Sequence, residues 1–247
     1  MNTETDNILI TMESKGYYDS DKILSTDDLE ELQNMVNLKI QKYGKKNLWL
    51  NEKLLKGTYA SNDIFKAKIL KIFQDICNQL DIKDYNKHEA YKVLRVISGS
   101  KQKKESHKYH FDAHLLTMLV PIFIPNRDNS GNGDLIIYPN LRKITNNIFK
   151  NILQKLFFQN SIFRVILSKN FFKRLFNYQR LILKPGSIYI FYGFRTLHGN
   201  LEINENDVRA TLLLHFYDVF QDSQLVKYNR SRRIKKENKN ITNKIKV

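Results

Sequence analysis

The spacing of apolar residues changes at Tyr91, and this switch constrains the fold more than any other feature. Upstream, apolar positions recur at helical intervals. Leu29, Leu32, Val36 and Ile40 form one stripe, and Ile64, Phe65, Ile69, Ile72, Phe73 and Ile76 form a second, between Asn62 and about Leu80. Thr26 is placed to N-cap the first helix, acids crowd its first turn, and Gly44 follows its end. Both stripes are expected to face a core. From Tyr91, YKVLRVISG alternates and is β-branched, which predicts a strand. A polar loop, SKQKKES, precedes HKYHFDAHLLTMLVPIFIP, which reads as one or two strands. The turn SGNGD and the short strand DLIIYP follow. The β texture resumes after residue 178 in RLILKPGSIYIFYG, RTLHGNLEIN and VRATLLLHFYDVF, with Pro185-Gly186 as a tight turn.

Helices first, then strands with inserted helices, predict an α+β fold. Several short strands in one run suggest a jelly-roll or cupin-like barrel rather than a doubly wound sheet. No Gly-rich phosphate loop follows a strand, which weakens a nucleotide-binding reading. Residues 141–178 interrupt the strands as a helical insert. Its stripe of Ile148, Ile152, Leu153, Leu156 and Phe157 is most simply core-facing. One domain is expected over 1–226. Residues 227–247 are basic and low in apolar content, and are expected to form a disordered tail.

Hydrophobic residues make up 42% of the 247, enough for a sizeable core. The formal charge of +16 suggests anionic partners, although AT-rich coding would enrich Lys along with Asn, Ile, Phe and Tyr. The single cysteine, Cys77, excludes an internal disulfide and sits in an apolar run, as a buried thiol would. The opening MNTETDNILITMESKGYY is not expected to act as a secretory signal, and no apolar run approaches the ~18 residues of a membrane span, so a cytoplasmic location is expected.

The stretch YHFDAH carries the chemistry. His110 and Asp112, two apart in a strand, share a face. On an inward face the carboxylate needs a partner, because burying it alone costs several kcal/mol. A cation meets that need. The third ligand is either His114 or a distant histidine. Three ligands along one strand would point past a single ion, so His198, after the strand IYIFYG, is the better candidate. Two His and one carboxylate with open positions suit non-haem Fe(II). A 2-oxoacid chelating that iron would present its far carboxylate to an arginine fork. Arg209 enters the apolar strand VRATLLLHFYD, and Thr211 shares its face.

HFD at 110–112, LHG at 197–199 and RAT at 209–211 resemble the HxD…H…R pattern of Fe(II)/2-oxoglutarate-dependent dioxygenases. The 11-residue gap from His198 to Arg209 looks like the phytanoyl-CoA hydroxylase-like branch. LKPGSIYIFYGFRTLHGN is similar to that family's turn–strand–His segment, and GYYDSDKILSTDDLEEL to its opening. The resemblance covers roughly residues 17–220. It implies a double-stranded β-helix, with His110, Asp112 and His198 binding Fe(II) and Arg209 holding the 2-oxoglutarate distal carboxylate. It also implies O₂ as oxidant, with ascorbate expected to stimulate. The expected activity is hydroxylation of a small molecule, anionic or linked to a lipid or sugar.

Other residues keep plainer readings. His114 is a core histidine or a neighbour of the metal, and His215 is placed to share the inward face of Arg209. His88 and His107 are expected at the surface. Arg195 either contacts substrate near the iron or faces solvent. Tyr189, Phe191 and Tyr192 are expected to pack the barrel. Phe157-Phe158 and Phe171-Phe172 beside Lys155, Lys169, Lys173 and Arg174 would suit contact with a membrane surface. Two alternatives to a small-molecule hydroxylase remain, a cupin-like metal- or ligand-binding module without turnover, and a nucleic-acid-directed oxygenase. Arg209 speaks against the first, and the lack of a clearly clustered basic-aromatic face speaks against nucleic acid.

Overall fold

A computed structural model of the chain describes residues 4–20, 23–58, 60, 62–99, 106–125, 132–224 and 226–228. The expected tail therefore lies outside the described residues from 229 onward, as does most of the SKQKKES loop. The front of the chain is helical: α1 (Glu4–Ser14), α2 (Thr26–Tyr43), α3 (Glu52–Leu55) and α4 (Asp63–Gln79), with short strands β1 (Tyr18–Ser20) and β2 (Leu48–Asn51) between them. The strands that follow are β3 (Tyr91–Ser98), β4 (His114–Phe123) and β5 (Leu135–Tyr138). Helices α5 (Ile148–Phe158), α6 (Ser161–Ser168) and α7 (Asn170–Leu175) form the insert. Strands β6 (Gln179–Leu181), β7 (Ile188–Phe191), β8 (Leu197–Asn200) and β9 (Val208–Asp218) complete the order.

The strands form two antiparallel sheets. One has the order β1-β7-β4-β9-β3-β2, the other β6-β5-β8. This is the expected α+β jelly roll. Strand alternation divides the large sheet into two faces. Leu94, Met118, Ile190, Leu212, Leu214 and Phe216 point one way, into a core shared with α1, α2 and α4. Phe73 of α4 stacks on Phe216 of β9, with ring centroids 5.3 Å apart. The opposite face meets the small sheet, where Leu119, Tyr189 and Phe191 pack against Leu135, Ile137 and Leu181.

Local chemistry sets the element ends. Ser25, not Thr26, caps α2: its hydroxyl accepts from the Asp28 backbone N–H. Thr26 is already the first helical residue, so the cap falls one position earlier than expected. Leu32 and Val36 are buried, and Leu29 and Ile40 pack beside them. In α4, Phe65, Ile69, Phe73 and Ile76 are buried as expected, while the Ile64 side chain lies outside the description. Gly186 takes φ +81 in the Pro185-Gly186 turn, a conformation that glycine adopts at no steric cost. Cys77 is fully buried and its thiol is pushed up to about 12 by that burial.

The insert departs from expectation in one respect. Ile152, Leu153, Leu156 and Phe157 do not face a core; they are exposed. The buried residue of α5 is polar Asn151, whose side-chain oxygen accepts from Arg142 Nη1 at 2.7 Å. Arg142 lies between the rings of Phe111 and Phe194, 4.1 and 3.9 Å from their centroids. Ile148 packs against the core as expected, but this buried cation claims the inward face of α5 for a hydrogen-bonding partner, and the stripe from Ile152 to Phe157 turns outward.

Candidate metal centre

Between the two sheets lies a cavity of about 590 Å³. Its floor is the inner face of β9, where Arg209, Thr211, Leu213 and His215 alternate inward, as expected for His215. Arg95 of β3 stands directly across from Thr211 in the register and lines the same cavity. His198 of β8, together with His110 and Asp112, lines it from the other side.

His110 and Asp112 converge by a different route from the expected pleat. Strand β4 begins only at His114. His110 instead pairs with His198 in an isolated bridge, each backbone N–H donating to the other's carbonyl at 2.9 and 3.0 Å. The chain then turns, and the Asp112 N–H donates to the Gly193 carbonyl at 3.0 Å. His110 Nε2 lies 3.7 Å from Asp112 Oδ1, and His198 Nε2 lies 3.6 Å from Asp112 Oδ2. One ligand atom from each of the three falls within 4.8 Å of the others.

Hydrogen bonds orient the imidazoles. His110 Nδ1 lies 2.9 Å from the Lys108 carbonyl, and His198 Nδ1 lies 3.0 Å from the Thr196 carbonyl. A carbonyl only accepts, so each Nδ1 carries the proton and each Nε2 presents a lone pair to the shared point. His110 leaves 43% of its side-chain surface open to the cavity, yet the ring sits deep in the protein. Burial, and then His198, push its pKa down to about 4, so it is neutral at pH 7. Burial alone would raise Asp112. The imidazoles of His198, His215 and His110 and the Thr117 hydroxyl outweigh it and hold the carboxyl well below its usual range. An Nε2 lone pair from each of His110 and His198 and a carboxylate oxygen of Asp112 form the donor set that a divalent cation requires.

A second layer holds the carboxylate. The Thr117 hydroxyl donates to Asp112 Oδ2 at 2.5 Å and lies 3.0 Å from His215 Nδ1. Since that hydroxyl proton is committed to Asp112, His215 Nδ1 donates to Thr117. Gly193 leaves room for this arrangement: an added Cβ would strike Thr117 Oγ1 and fall 2.5 Å from Asp112 Oδ2. If these three groups hold a divalent cation, Gly193→Ala should displace the carboxylate and weaken Fe(II) binding by roughly 10–100-fold, the range seen when groups supporting a ligand are lost. Anaerobic Fe(II) titration against the parent checks this, and unchanged affinity would show that Asp112 is not held against Gly193.

Arg209 is 2% exposed. Its Nε donates to the Gly133 carbonyl at 2.7 Å and its Nη1 to Thr211 Oγ1 at 3.4 Å. Gly133, at φ +68, makes the approach feasible; a Cβ there would sit 2.5 Å from Arg209 Cδ. Among the described residues no carboxylate forms an ion pair with Arg209. Burial, then the Arg95 cation, push its pKa down to about 9, which leaves it charged at neutral pH.

The remaining expectations divide. His114 lies at the cavity edge in a ring stack with Tyr91 and His215, outside the three converging groups. Arg195 takes neither expected position: its Nη1 pairs with Glu13 Oε1 at 2.7 Å and ties the site segment to α1. Tyr189, Phe191 and Tyr192 are buried as expected, and Phe191 packs edge-on against His198 with centroids 5.0 Å apart. His107 is exposed, whereas His88 is stacked on Tyr217. Lys155 and Gln159 of the insert line the cavity. The sequence reading missed Thr117, Gly193 and Arg95. Arg95 carried a usable signal, since it is the only charge among Tyr91, Val93, Arg95 and Ile97 on one face of β3.

No protein-family model and no curated protein matches this chain. Solved structures do. A prolyl-4-hydroxylase from Pseudomonas putida is similar over 87% of this chain and 100% of its own, at 9% identity and a TM-score of 0.56. A prolyl hydroxylase from Trichoplax adhaerens, solved with a hypoxia inducible factor oxygen degradation domain peptide fragment, is similar over 87% of this chain and 89% of its own. That pair is 13% identical with a TM-score of 0.55. The likeness is one of fold: this chain has the jelly roll that those hydroxylases share.

Proposed function

We propose that this chain is an Fe(II)- and 2-oxoglutarate-dependent oxygenase acting on a small anionic substrate. The observation that carries the proposal is the pairing, in one cavity, of the His110–Asp112–His198 convergence with a buried Arg209 that forms no ion pair among the described residues. A metal-binding module without turnover has no use for the second feature. Residues 1–226 are read as one domain.

His110, Asp112 and His198 would hold Fe(II) through two Nε2 atoms and one carboxylate oxygen. Arg209 and Thr211 would hold the distal carboxylate of 2-oxoglutarate, the guanidinium by charge-assisted hydrogen bonds and the hydroxyl as a further donor. Iron bound there supplies O₂ activation: 2-oxoglutarate gives succinate and CO₂, and the second oxygen atom enters a substrate C–H bond. The protein's own tasks are orientation and water exclusion. Thr117 and His215 fix the carboxylate, Phe191 covers His198, and α5 walls the cavity. Arg95 and Lys155, both cavity-lining, favour an anionic substrate. The 11-residue spacing is the support for the phytanoyl-CoA hydroxylase-like branch.

Anaerobic mixing with Fe(II) and then 2-oxoglutarate tests the proposal. A visible metal-to-ligand charge-transfer band that needs both components is expected. Iron binding without that band would leave a metal-binding module.

A further inference from the structure

We propose that the outward face of α5–α7 is a docking surface for an anionic lipid bilayer. The first observation is that α5 is turned inside out. Its polar Asn151 is buried, while Phe149, Ile152, Leu153 and Leu156, at i, i+3, i+4 and i+7, face outward, with Phe149 70% and Leu153 67% exposed. The next two helices, packed in sequence against it, continue the face with Ile162 and Val165 on α6 and Phe171 and Leu175 on α7, all 60% exposed or more. Large aliphatic and aromatic groups gathered this way mark an interaction site, because isolated soluble proteins rarely leave such patches uncovered.

Charge selects the occupant. Residues 135–201 contain eleven Lys or Arg and no Asp or Glu. Lys150 on α5, Lys169 between α6 and α7, and Arg174 on α7 are exposed beside the apolar groups. An apolar face interspersed with cations is the pattern of helices that lie in the headgroup region of anionic bilayers, where apolar burial and attraction to acidic lipids add. A second copy fits poorly, since a two-fold interface would set these cations against their own equivalents. Nucleic acid would satisfy the cations and leave the Phe, Leu and Ile surface in water. Because Lys155 and Gln159, on the inner side of the same insert, line the site cavity, docking would leave about one helix diameter, ~10 Å, between the bilayer surface and the cavity.

Flotation of the full chain with vesicles tests the proposal. Mixed phosphatidylcholine–phosphatidylserine vesicles should carry the protein upward, phosphatidylcholine vesicles should not, and added salt should weaken the association. Phe149→Ser/Leu153→Ser should reduce partitioning roughly tenfold or more, the factor that ~1.4 kcal/mol of lost binding gives. Its melting temperature should match the parent's, because both side chains are exposed. Lys150→Glu/Lys169→Glu should also weaken binding. Failure of the parent to float with the mixed vesicles overturns the proposal. So does a serine double variant that floats as well as the parent, which would assign the binding to cations alone, including those of residues 229–247. A parent that is dimeric without vesicles, and monomeric once the two serines are introduced, would assign the face to a second copy instead.

Discussion

His198→Ala should lose Fe(II) binding by more than the roughly 10–100-fold that follows loss of a group merely supporting a ligand, whereas His114→Ala should bind as the parent does. The contrast arises from placement. His198 Nε2 points at the carboxylate of Asp112, with the ring fixed by the Thr196 carbonyl and packed against Phe191. His114 stacks against both Tyr91 and His215 and stands outside the converging set. Removing His198 leaves His110 and Asp112, too few to hold the ion against water. Removing His114 takes away its ring contacts with Tyr91 and His215 and leaves the three converging groups in place. Anaerobic titration of both variants decides the matter. Retention of iron by His198→Ala with its loss in His114→Ala would invert the assignment.

Arg209→Ala should raise the 2-oxoglutarate requirement of the Fe(II) protein at least roughly tenfold, and Arg209→Lys should also weaken it. Hydrogen bonds to charged groups contribute about 1.5–3 kcal/mol each, and ~1.4 kcal/mol is a factor of ten. Lysine keeps the charge but not the planar fork, so it cannot offer two parallel donors from the position that the Gly133 carbonyl sets for Nε. Thr211→Val keeps the shape and loses one hydroxyl, so its effect should be smaller. Iron affinity without 2-oxoglutarate should stay at the parental value in all three. The charge-transfer band, titrated with 2-oxoglutarate, reads the affinity. Parental affinity in Arg209→Ala would make Arg209 a structural cation for the Gly133 turn.

The fold was legible because alternation and helical spacing are local signals that the packing preserved. The stripes of α2 and α4 and the alternating runs of β3, β7 and β9 all became faces of a core. The insert was misread because an amphipathic stripe gives the direction of one face relative to the other, not which one points inward. Arg142, nine residues before Asn151, reverses α5 by needing a buried acceptor. At the site, His110, Asp112, His198 and Arg209 all line one cavity. The reason for the convergence of His110 and Asp112 was not legible. It depends on a backbone bridge to His198 and a hydrogen bond to Gly193, contacts across more than 80 residues that no local pattern announces. Thr117 was invisible for the same reason, since a threonine in an apolar strand usually signals nothing beyond β-propensity.

Succinate formation tests the central claim most directly. The protein, loaded with Fe(II) and 2-oxoglutarate under nitrogen and then exposed to air with ascorbate and a panel of small carboxylates and phosphates, should release succinate. One panel member should raise the yield and gain an oxygen atom. Asp112→Ala, treated identically, should release only what buffer with iron releases. Succinate at that background level from the parent, with iron and 2-oxoglutarate both bound, would contradict an oxygenase and leave a site that binds without turnover.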